Sequence, residues 1–175
     1  MNSRVVLVPE AKLGVVVLTN SLTSISNLLA YAAVDAVLGI EGQDWSQENL
    51  DSFRKSRQEF EANVAKAITP VVLGMKPSHP LSDYTGTFRC PLYGNAKVVL
   101  EADQLVLKLL PYPALEADLI HLHYDTFEIR WRSKFAWFEG GTAHFVADAS
   151  GVLHKISLNV PNEDLFFHEL RLERY

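Results

Sequence analysis

Cysteine is almost missing: Cys90 is the only one in 175 residues. No internal disulfide can form, so the fold has to be held by buried apolar surface. A lone thiol between Arg89 and Pro91, at a strand end, is expected to be inert. No apolar stretch approaches the ~20 residues that a membrane-crossing helix needs. Excess positive charge is also lacking. Sixteen Lys and Arg stand against 21 Asp and Glu, a net charge of −5. The basic residues are scattered beside acids, which excludes the clustered cationic face of a nucleic-acid binder. There is no fixed-period repeat and no low-complexity tract. Met1-Asn-Ser-Arg4 runs straight into Val5-Val-Leu-Val8 without a signal-peptide layout, so the chain as written is expected to stay where it is made. The compartment is otherwise left unassigned.

What is present is a globular composition, 48% hydrophobic and 21% charged. That is enough for one domain, or a small domain with a fragment of another. Three stretches differ in texture. In residues 1–43, Arg4–Val8 and Leu13–Thr19 are nearly continuous Val/Leu runs, and Pro9-Glu10-Ala11-Lys12 supplies a hairpin turn. Their lack of alternation predicts strands covered on both faces. Thr23 or Ser24 can cap a helix over Ile25–Leu38 that is apolar nearly all round, a pattern made for burial. Residues 44–80 begin with a different helix, capped by Asp44 or Ser46 and running to about Ile68. Leu50, Phe53, Phe60, Val64 and Ile68 form its apolar stripe, and charged residues fill the remainder. Pro70, Gly74, Pro77 and Pro80 then mark a linker.

Residues 81–175 read as β throughout. Candidate strands are Gly86–Cys90, Ala96–Glu101, Gln104–Leu109, Asp118–Tyr124, Phe127–Trp131, Phe135–Glu139, His144–Ala147, Leu153–Asn159 and Leu165–Arg171. Turn residues such as Ala102-Asp103 and Ser150-Gly151 separate them closely, which indicates an antiparallel barrel or sandwich. The expected fold class is therefore α+β: an N-terminal β-hairpin and two helices, then an antiparallel β-barrel.

Two stretches resemble known families. Val5-Val-Leu-Val-Pro-Glu-Ala-Lys-Leu-Gly-Val-Val-Val-Leu-Thr-Asn20 resembles the closing strand pair of the penicillin-binding-protein/class C β-lactamase superfamily, and the helix Ile25–Leu38 with Leu38-Gly39-Ile40 and Asp44-Trp45 fits its ending. Tyr84-Thr-Gly86-Thr-Phe88, Tyr93-Gly94 and Leu119-x-His121-x-His123-Tyr124-Asp125-Thr126-Phe127 resemble a lipocalin-like domain of unknown function often appended to those serine hydrolases. The resemblance implies a hydrolase tail over residues 1–43, then an appended lipocalin-like barrel, and full-length relatives that are often exported. It also implies what this stretch lacks. The family's Ser-x-x-Lys, Tyr-x-Asn and Lys- or His-x-Gly motifs all precede the closing strand pair, so no catalytic residue is assigned and the chain is expected not to be an enzyme.

Ser52-Phe-Arg-Lys55 and Tyr93-Gly-Asn95 spell two of those motifs by accident. Ser52 lies in a charged run on an amphipathic helix, where Lys55 should keep its proton, and Tyr93-Gly94-Asn95 has hairpin-turn chemistry. His121 and His123 are the candidate metal ligands, since residues i and i+2 share a strand face. Two imidazoles leave a tetrahedral site half built, and no bound metal or other cofactor is expected. A third ligand would have to come from elsewhere, such as His144. Tyr124, Phe127, Trp131, Trp137 and Phe145 either fill the barrel or line a cup for a small apolar ligand. In the second case the chain would be a free-standing lipocalin-like binder. The bare edges and apolar faces of the first two strands point to a partner there, a second copy of the chain or the parent hydrolase domain. Neither nucleic acid nor a membrane span is expected.

Overall fold

The computed structural model describes residues 1–20, 23–68, 72, 74–135, 139–162 and 165–175. They form two compact units, residues 1–59 and 60–175.

The first unit is built on β1 (Asn2–Val8) and β2 (Leu13–Thr19), paired antiparallel from Asn2↔Thr19 to Val8↔Leu13. Pro9–Ala11 make one 3-10 turn between them, and Lys12 takes a left-handed conformation that closes it. Helix α1 (Ile25–Leu38) packs against both strands. Strand alternation sends Arg4, Val6, Val8, Leu13, Val15 and Val17 to the half-buried face. Arg4 lies on that face with its guanidinium near the Tyr31 ring and its Nη2 donating to the Tyr31 hydroxyl at 2.8 Å. Trp45 opens α2 (Trp45–Ile68), leans on the Tyr31 ring and donates from Nε1 to Asp35 at 2.6 Å. The expected caps are split. Asp44 accepts from the Gln47 amide at 3.0 Å, whereas Ser24 turns its hydroxyl to Asn49 instead of capping α1.

The expectation of strands covered on both faces is corrected here. Val5, Leu7, Val16 and Leu18 share the opposite face of the ribbon and are 60–77% exposed. The all-round burial expected of α1 is corrected too: Ser26 and Ala30 are buried, while Ile25, Leu29, Val37 and Leu38 are exposed. One helix on two strands makes one buried layer, and a sheet with two apolar faces needs a second.

The second unit is a closed antiparallel barrel in the order β10-β3-β4-β5-β6-β7-β8-β9. Its strands are β3 (Gly86–Arg89), β4 (Ala96–Glu101), β5 (Gln104–Leu109), β6 (Glu116–His123), β7 (Thr126–Trp131), β8 (Gly141–Ala147), β9 (Leu153–Asn159) and β10 (Leu172–Arg174). The α+β class and the barrel are as the sequence indicates. Ala102 and Asp103 both take positive φ, the backbone of a two-residue hairpin whose twist matches its strands.

One strand assignment is corrected, and another falls largely outside the described residues. Phe135 lies outside any strand, and 136–138 fall outside the described residues, Trp137 among them. Leu165–Arg171 is not a strand. The Asn162 side chain accepts from the Leu165 amide at 2.6 Å, Phe167–Glu169 form a 3-10 turn, and only Leu172–Arg174 are extended. The loop has to carry the chain to the gap between β9 and β3, where three residues suffice to close the barrel.

Candidate functional site

The β6–β7 hairpin carries the two histidines, and its register decides what they can do. His121 pairs with Phe127 and His123 with Thr126, with a register shift between them. Phe127 and Thr126 are neighbours on one strand and face opposite sides. The extra residue therefore breaks the alternation between His121, edge-on to the Phe127 ring at 5.4 Å, and His123, whose Nδ1 is buried without a hydrogen-bond partner among the described residues. The shared strand face expected for the two imidazoles is thus corrected. His121 Nε2 lies 2.9 Å from the Tyr124 carbonyl oxygen. His144 shares the outer row with Thr126, whose hydroxyl is 2.9 Å from its Nδ1. Among the described residues, no three His, Cys, Asp or Glu side chains form a cluster that could hold a metal ion. Glu128 answers Arg130 at 2.8 Å on that same outer face.

The aromatic set also divides. Tyr124 sits in the turn after β6 with positive φ and is exposed, so it is corrected from interior to surface. Phe127 and Phe145 are buried in the core and pack edge-on, 5.6 Å between centroids. The Tyr84 ring stands 5.0 Å from each, and Phe88 closes on Phe145 at 6.2 Å. These four rings form one buried cluster in the core. Trp131 is not deeply buried as expected. It lies four residues further along β7, about 13 Å away at strand rise. There it packs on Phe135 and Phe167, and its Nε1 donates to the Glu139 carbonyl at 2.9 Å. Tyr124, Phe127, Phe145 and Trp131 of the proposed ligand site therefore do not converge on one place, and Trp137 lies outside the described residues.

Two anchors emerge instead. The buried Tyr84 hydroxyl donates to the Asp125 carboxylate in the β6–β7 turn and accepts from the His79 amide at 3.3 Å. Burial, then the bond to Asp125, pushes the Tyr84 hydroxyl well above the usual tyrosine range. The second anchor went unread in the sequence. Arg174 forks across the seam of the barrel to the carbonyls of Leu153 at 2.5 Å, Thr85 at 2.7 Å and Asp83 at 2.7 Å. Its guanidinium lies 5.0 Å over the Phe88 ring. Gly86 makes room for it: a Cβ there would fall 2.5 Å from Arg174 Nη1. The only signal in the sequence was a glycine between Tyr84 and Phe88, with nothing local to name its neighbour.

The two motif look-alikes do not meet in a site. Ser52 and Lys55 are exposed on α2 in the first unit. Tyr93 is exposed in the β3–β4 loop of the second, where the Gly94 amide donates to the Cys90 carbonyl at 3.0 Å.

Fold and anchors together define a closed eight-stranded antiparallel barrel domain, preceded by a separate unit of hairpin and helix. Residues 72–174 match the family described as Domain of unknown function (DUF3471), and the chain belongs to that family. Among solved structures, the chain is similar to one described as the C-terminal domain of penicillin binding protein Rv0907. The identity is 29%, over 51% of this chain and 82% of that one, with a TM-score of 0.41. No curated protein matches the chain.

Proposed function

We propose that this chain is a non-catalytic C-terminal accessory module of a β-lactamase/penicillin-binding-protein-like serine hydrolase, its first unit completing a larger sheet. The observation that carries this reading is the β1–β2 ribbon. It has a helix on one face, an apolar open face and partners for neither outer edge among the described residues. Such a ribbon is marginal in water and has the form of a sheet's last two strands. The resemblance of Val5–Asn20 to a closing strand pair supports this choice of sheet, and the family match covers residues 72–174.

Catalysis would need Ser52 beside a base in a site that excludes water. Its exposure on α2 speaks against that. Incubated with a serine-reactive fluorophosphonate and a chromogenic β-lactam, the purified chain is expected to show neither labelling nor turnover. Stoichiometric labelling, or turnover abolished by Ser52→Ala, would overturn the reading.

In the isolated chain, the ribbon is sealed by a second copy. Pairing across a two-fold axis satisfies edge groups and the Val5, Leu7, Val16 and Leu18 face together. Light scattering at micromolar concentration is expected to give a dimer. A clean monomer with the Val5–Val8 amides protected from hydrogen exchange would show that the chain seals itself.

A further inference from the structure

The β3–β4 and β5–β6 loops, two of the four loops at one end of the barrel, carry a second apolar surface. Residues 90–95 and 109–115 contain no charged side chain. Leu92, Tyr93, Leu110 and Tyr112 within them are 44–69% exposed. The two loops are tied to each other. The Leu110 amide donates to the Asn95 carbonyl at 2.9 Å. Gly94, with φ +85°, lies so close to Pro111 that a Cβ would stand 2.5 Å from the proline Cγ. Within the second loop, the Tyr112 amide donates to Leu109 at 2.9 Å and the Leu115 amide to Tyr112 at 2.8 Å. The apolar side chains are thus held outward by a braced backbone, where a loose loop would fold them back.

Two cations flank this tip. Arg89 ends β3 and Lys97 is the second residue of β4, both exposed on the outer wall. Neither makes an ion pair among the described residues, although Glu173 is the cross-strand neighbour of Arg89. The cross-strand neighbour of Lys97, Lys108, is itself held by Glu101 at 2.6 Å and Glu116 at 3.3 Å.

We propose that this tip docks on an anionic lipid surface, with Leu92, Tyr93, Leu110 and Tyr112 entering the headgroup boundary and Arg89 and Lys97 reaching lipid phosphates. The chemistry favours a bilayer over a second copy of the chain. Tyrosine sets an apolar ring below a polar tip, as the interface requires, and long basic side chains extend to headgroups from apolar surroundings. The contact is peripheral: the described helices include none long and apolar enough to cross a membrane.

The test is co-sedimentation of the full chain with vesicles of phosphatidylcholine alone or mixed with phosphatidylglycerol. Leu92→Ser/Tyr112→Ser and Arg89→Gln/Lys97→Gln are compared with the parent, all with unchanged thermal melting because the side chains are exposed. Binding is expected to the mixed vesicles and not to phosphatidylcholine alone. Each double variant should weaken it about tenfold or more. No sedimentation with either vesicle, equal binding to both, or binding indifferent to the serine variant would overturn the proposal. Self-association removed by Leu92→Ser/Tyr112→Ser would overturn it too, assigning the tip to a protein interface.

Discussion

Phe127→Ala should lower the stability of the barrel by about 3–5 kcal/mol, the cost of removing a buried aromatic ring whose surroundings relax only in part. Phe127 sits at the meeting point of Tyr84 and Phe145, edge-on to both, with His121 on a further side. Its removal takes away three ring contacts, two of them with buried rings, along with its transfer free energy. Urea unfolding of the full chain, followed by near-ultraviolet circular dichroism, measures it. The same substitution tests the filled interior. A loss below about 1 kcal/mol, typical of surface sites and volume-neutral swaps rather than cavities, would mean that the ring lines open space.

Arg174→Ala should cost about 3 kcal/mol. A charged donor's hydrogen bond contributes roughly 1.5–3 kcal/mol, and three carbonyls lose their donor at once, though not additively. The position has leverage because β10 is only Leu172–Arg174 and joins β9 to β3. Gly86→Ala reaches the same clasp from the other side, since its Cβ would displace the guanidinium. It should cost a similar amount, and the double variant should be little worse than either single one. Additive losses would show that glycine and arginine act separately. Arg174→Lys keeps the charge but not the fork, and should recover only part of the stability. Thermal unfolding of the four proteins reads all three outcomes, at several degrees per kcal/mol for a domain of this size.

How far the sequence carried the argument can be seen residue by residue. Phe88, Leu119, Phe127, Phe145 and Leu158 could be assigned to the core because alternation on a strand needs only local spacing, and all five are buried, as is Tyr84 at the end of a 3-10 turn. The hairpin turns and the helix Ile25–Leu38 were equally local. The histidine pair was misread because two residues apart means the same face only on a regular strand. The shift between His121 and His123 depends on how β6 pairs with β7, which neither segment shows alone. Tyr124 moved to the surface for the same reason.

Composition, spacing and turn chemistry by themselves determined the class, α+β with an antiparallel barrel, and the change of texture between hairpin, helices and strands. Each of these depends on interactions within a few residues of the chain. Only the tertiary structure decided that Arg174 would lie against Gly86, that the Tyr84 hydroxyl would reach Asp125, and that two charge-free loops would brace each other through Gly94 and Pro111. Those partners are brought together by closure of the barrel. Closure is a property of eight strands at once, and no window of the sequence contains it.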